Sequence, residues 1–111
     1  MRSILLLSNQ PEKLARLKRI LPTEHSIFTA SVQKAPEFVR SSPVDVVIAD
    51  ILTKKDLSVL RQLKELQPQC VVVSLIPKKE IVWEEDSWEI SDFVLRESSS
   101  TKEIKAILNK A

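Results

Sequence analysis

Three stretches of this sequence are apolar without alternation: RSILLLS from Arg2 to Ser8, VDVVIADI from Val44 to Ile51 and CVVVSLI from Cys70 to Ile76. A strand with one wet face alternates apolar and polar residues; these do not, so each reads as a strand buried on both faces, as in a parallel sheet. Parallel neighbours need long crossover connections, and the segments between the runs carry helical spacing. Pro11 suits a first helical position, Leu14, Leu17, Ile20 and Leu21 recur at helical intervals, and Glu12, Lys13, Arg16, Lys18 and Arg19 fill the other face up to Pro22. His25 to Ser31 reads as a second strand, and Pro36, Phe38 and Val39 mark a brief second helix closed by Ser41, Ser42 and Pro43. Asp56 is expected to cap a third helix with Leu57, Leu60, Leu63 and Leu66 on one side, stopped by Pro68. Lys78 to Glu89 reads as an irregular helical segment and Ser91 to Arg96 as a fifth strand. Ser100 with Glu103 forms a capping-box pattern before Ile104, Ile107 and Leu108. The expectation is an α/β domain of five βα units, a doubly wound parallel five-stranded sheet with helices on both faces.

At 111 residues the chain fits one domain, residues 1–111, with one core. Hydrophobic residues at 43% and charged residues at 29% are a globular balance, and no apolar run is long enough to cross a bilayer. Residues 1–8 are followed at once by polar SNQPEK with no small-residue cleavage site, so a secretory leader is not expected and the cytoplasm is the expected location. Seventeen basic against fifteen acidic residues leave a charge of +2, too balanced to predict nucleic-acid binding. Glycine is absent, which excludes Gly-rich phosphate loops of the dinucleotide-binding and P-loop kinds. Cys70, the only cysteine, lies beside three valines and reads as a small buried hydrophobe.

In doubly wound sheets, chemistry gathers at the carboxyl ends of the strands, here at Ser8, Asn9, Asp50, Ser74 and Arg96. With Asp50 ending the third strand, Ser74 the fourth and Arg96 the fifth, nearly the whole chain resembles the receiver domain of two-component response regulators, in the flavodoxin-like strand order 2-1-3-4-5. The resemblance implies that Asp50 matches a phosphoryl acceptor, Ser74 a switch hydroxyl, Phe93 a switch aromatic and Arg96 the family's lysine. The family's acidic Mg²⁺-binding pair falls on Ser8 and Asn9, which are uncharged, so Asp50 is left as the sole anionic metal ligand and Mg²⁺ binding is expected to be weak. Glu97 replaces the family's proline, and the loop ILTKKD after Asp50 lacks its Pro and Gly. These departures resemble the atypical, pseudo-receiver branch, in which the fold persists with weak or no phosphorylation and regulation runs through protein contacts. An Asp50–Arg96 ion pair is expected to lock one state.

The resemblance implies a non-enzymatic regulatory module, the first part of a larger signalling protein or transcription regulator. Its partners would be a histidine kinase or downstream effector domain, with no required cofactor. Homodimerisation would use the face built by the fourth helix, fifth strand and last helix, where Trp83 and Trp88 are candidate anchors or core covers. The alternatives are a conventional phospho-accepting receiver and a non-catalytic oligomerisation module. A flavin or cysteine phosphotransfer protein finds no support in SNQPEK. His25 reads as a surface or turn histidine, and Ser98 to Thr101 as a capping run. The basic residues of the first helix read as a solvated face, with a weak surface for an acidic partner as the second reading.

Overall fold

The computed structural model describes residues 3–21, 25–51, 53–76, 91–96 and 103–106. The elements are β1 (Ser3–Leu7), α1 (Pro11–Ile20), β2 (Ser26–Ala30), a 3₁₀ turn (Val32–Lys34), α2 (Ala35–Ser41), β3 (Val46–Asp50), α3 (Lys54–Leu66), β4 (Val71–Ile76) and β5 (Phe93–Arg96). All four strand pairs are parallel, and the sheet order is β2-β1-β3-β4-β5. That is the expected order. Residues 103–106 are helical. The expected helical segment Lys78 to Glu89, both tryptophans, and the cap residue Ser100 lie outside the described residues.

Because in-register neighbours of a parallel sheet share a face, two apolar layers follow directly from the sequence. Ile4, Leu6, Val46, Ile48, Val73 and Leu75 pack on Leu17 and Leu21 and on Ile104. Leu5, Leu7, Val47, Ala49 and Val72 pack instead on Val32, Ala35 and Val39 and on Leu57, Leu60 and Leu63. The five residues of β3 are all buried, which is why that run shows no period of two. β2 is one edge strand, with none of its residues buried; Phe28 is 41% exposed and its ring lies 5.6 Å from that of Phe38.

The third helix starts differently from the expectation. Thr53, not Asp56, is its N-cap: the Thr53 hydroxyl accepts from the Asp56 N–H, and the Asp56 carboxylate accepts from the Thr53 N–H. A carboxylate three residues into a helix reaches back more readily than it caps its own start, the reciprocal box that satisfies two orphan donors. At the other end buried Gln67 accepts from Val44 N–H and donates to the Val39 carbonyl, tying α3 to the passage from α2 to β3. Lys64 donates to the Cys70 carbonyl and pairs with Asp92 at 2.9 Å, while Asp92 accepts from Val72 N–H, so one carboxylate pins the start of β5 to β4 and α3.

Cys70 is buried and free, as its apolar neighbours imply, and burial pushes its thiol pKa up. Iodoacetamide at neutral pH should therefore leave the folded protein unmodified and label Cys70 only as urea unfolds it; labelling at the rate of a free thiol under native conditions would contradict this burial. Leu60→Ala, at a fully buried position, should cost about 2–5 kcal/mol in urea denaturation, as for other buried leucines.

Candidate functional site

Asp50 is the last residue of β3 and is 3% exposed. Strand alternation sends its side chain to the face of Val46 and Ile48, the face that α1 covers. A carboxylate that far from water needs compensation, and two residues supply it. Ser8, directly after β1, donates its hydroxyl to Asp50 Oδ2 at 3.0 Å. Lys13, in the first turn of α1, places Nζ 3.2 Å from Asp50 Oδ1, with its side chain 16% exposed. Lys13 therefore leaves the solvated face to which the sequence reading assigned it. It stands four and eight residues before Leu17 and Leu21, both buried against the same layer, so it extends their stripe back to the sheet's carboxyl edge. That spacing was the signal in the sequence.

The remaining expected site residues are distributed differently. Ser8 joins Asp50 and also accepts from Gln10 N–H through its Oγ at 3.0 Å, closing the turn into α1. Asn9 turns away: its side-chain oxygen accepts from Val32 N–H at 3.1 Å and fastens the β1–α1 turn to the start of the 3₁₀ turn. Ser74 is in register with Ala49 and Val94, on the sheet face opposite to that of Asp50, and its hydroxyl lies 2.6 Å from the buried Ser91 hydroxyl. Phe93 is half-buried against the layer containing Val73 and Ile104. Arg96 ends β5, but its side chain lies outside the described residues; the counter-ion seen on Asp50 is Lys13. Among the described residues no group of three or more acidic, histidine or cysteine side chains could hold a metal ion. The described residues thus fit a divalent cation poorly, with one carboxylate among them at this edge and that one already charge-paired. His25 is half-buried just before β2.

A gross attraction on the order of 5 kcal/mol at an effective dielectric near 20 is set against a desolvation cost of several kcal/mol per ion. The pair therefore fixes an arrangement more than it stabilises the fold. Breaking one side is another matter, because Asp50 would stay buried with only Ser8 as donor among the described residues. Lys13→Met should cost about 3 kcal/mol in urea denaturation, the low end for a broken buried pair because Lys13 keeps some water contact. Asp50→Asn combined with Lys13→Met should recover much of that loss, and strictly additive effects would show that the two side chains do not interact.

No family model matches the chain, and no curated protein matches it. Solved structures do. The chain is similar to NtrX from Brucella abortus, solved in complex with ADP, with a TM-score of 0.86 at 17% identity, covering 98% of this chain and 25% of that one. It is similar to a response regulator receiver domain protein from Clostridium thermocellum, with a TM-score of 0.84 at 20% identity over 99% of this chain and 93% of the other. TrrA, a response regulator from Thermotoga maritima solved in complex with Mg²⁺–BeF, gives 0.84 at 25% identity over 99% and 98%. The chain thus spans about a quarter of NtrX and nearly all of the two smaller proteins. With its five parallel strands in the order 2-1-3-4-5 and helices on both faces, this chain has the fold of the response-regulator receiver domains.

Proposed function

We propose that this chain is a regulatory signalling module, an atypical receiver domain that acts through protein contacts with weak or no phosphorylation at Asp50. The observation that carries the reading is the state of the acceptor carboxylate. Asp50 is already paired with Lys13 and hydrogen-bonded by Ser8. Mg²⁺ demands near-octahedral oxygen ligation and gives up its waters reluctantly, so a site with one carboxylate, itself shared with an ammonium, holds it poorly. Asn9, at the second position of the family's metal pair, spends its oxygen on Val32. Ser74, in the place of the switch hydroxyl, is occupied with Ser91, and Phe93 and Arg96 complete the old switch on β5.

In this reading the module has no catalytic role and works in the cytoplasm as the N-terminal regulatory domain of a larger protein. That arrangement accords with the quarter of NtrX that it spans. Its partners are then a histidine kinase or a downstream effector domain, or a second copy bound through the face that includes β5, with Trp83 and Trp88 as anchors. The second reading is a conventional phospho-acceptor, and the observation in its favour is the similarity to TrrA, which was solved with Mg²⁺–BeF.

An amide NMR titration with Mg²⁺ and then beryllofluoride, an aspartyl-phosphate mimic, separates the two readings. The expected result is no saturable shift at Asp50, Ser74 or Phe93 at millimolar Mg²⁺. Saturable shifts spreading from Asp50 into β5 would establish the conventional phosphoswitch instead.

A further inference from the structure

Lys13, Arg16 and Arg19 stand three residues apart along α1, an oblique ridge that winds part-way round the helix, and with Gln10 and Glu12 they line a groove of about 400 Å³. Like charges at this spacing repel each other. The two arginines are not paired: among the described residues no ion pair engages Arg16 or Arg19, although Glu12 lies four residues before Arg16. Both arginines are exposed. Lys13 alone is shared, because it lines this groove while its ammonium contacts the buried Asp50.

We infer that this groove is a docking surface for an acidic segment of a protein partner, and that Lys13 makes its affinity depend on the charge at Asp50. Charge complementarity selects the occupant. From Lys13 to Arg19 the row rises about 9 Å at 1.5 Å per residue, room for two or three carboxylates, and arginine's planar fork pairs with each of them bidentately. A nucleic acid wants a broader basic face, with something like six to ten phosphate contacts for strong binding, and the chain's net charge is only +2.

The coupling follows from Lys13's position. The Asp50 carboxylate subtracts from the positive potential that Lys13 lends to the groove. Neutralising Asp50 must strengthen binding of an anion there, and by linkage an anion in the groove weakens Lys13's hold on Asp50. This stands on the geometry of α1 and goes beyond the receiver reading. The Mg²⁺ and beryllofluoride titration decides that reading separately, since it does not involve Arg16 or Arg19.

The test is a titration of the intact chain with an oligoglutamate peptide at low salt, followed by calorimetry and amide NMR. Saturable binding is expected, with shifts from Gln10 to Arg19 and at Ser8 and Asp50. The doubly substituted Arg16→Glu, Arg19→Glu chain should bind at least tenfold more weakly. Asp50→Asn should bind about fivefold more tightly, the low end of site-to-site coupling, and adding Lys13→Met should abolish that gain. Absence of saturable binding, affinity unchanged by the arginine reversals, or affinity unchanged by Asp50→Asn would overturn the inference. Tighter binding of oligothymidylate than of the peptide would overturn the choice of a protein partner.

Discussion

Neither β1 nor β3 has a polar face to turn toward water, and nearly everything else in the structure is a response to that. Their side chains go alternately into two apolar layers, so helices must cover both sides of the sheet. The connections must then be crossovers, and the turns that carry chemistry are forced to the carboxyl edge. Asp50 is the point where this constraint meets a charge. It ends a strand whose five residues are all buried, and the side of the sheet to which it points is the one that α1 covers. A charge placed there by the strand's register has to be answered by a residue on the turn after β1 or on the first turn of α1, and Ser8 and Lys13 are those residues.

The architecture was legible because it rests on burial. The runs at Arg2–Ser8, Val44–Ile51 and Cys70–Ile76 contain the three central strands, trimmed to Ser3–Leu7, Val46–Asp50 and Val71–Ile76, and the leucines of α1 and α3 fix the helices that pack on them. The site was less legible, because side-chain partners depend on distances that no periodicity encodes. Asp50 and Ser8 could be read from their strand ends. Lys13 was assigned to solvent because lysine usually lies there, although its interval to Leu17 and Leu21 placed it on the buried stripe. Asn9 and Ser74 were read by their positions along the chain, whereas their hydrogen bonds were decided by which backbone or hydroxyl lay nearest. The capping of α3 failed for a similar reason: Thr53 and Asp56 both have capping chemistry, and only their reciprocal bonds show which is the cap.

An ammonium tethered beside a buried carboxylate differs from a dissociable cation in what it can report. A free ion enters and leaves, so its occupancy follows its concentration; a lysine is present at unit stoichiometry and can change only by moving or by gaining a competing anion. The helix that closes the site is also the helix that carries Arg16 and Arg19.

The same logic bears on how firmly each residue of this site is held in place. Asp50 cannot simply be deleted without taking away the carboxylate 3.2 Å from the Lys13 ammonium, whose side chain is only 16% exposed, and Lys13 cannot be removed without stranding Asp50. Each residue makes the other costly to lose. Asn9 and Ser74 are bound by no such mutual charge. Their hydrogen bonds go to Val32 and Ser91, and a neutral group turned to another partner leaves a far smaller debt than a buried ion. The charged pair is thus the part of the site that physical chemistry holds in place, and the uncharged positions around it are the ones free to take up other structural work.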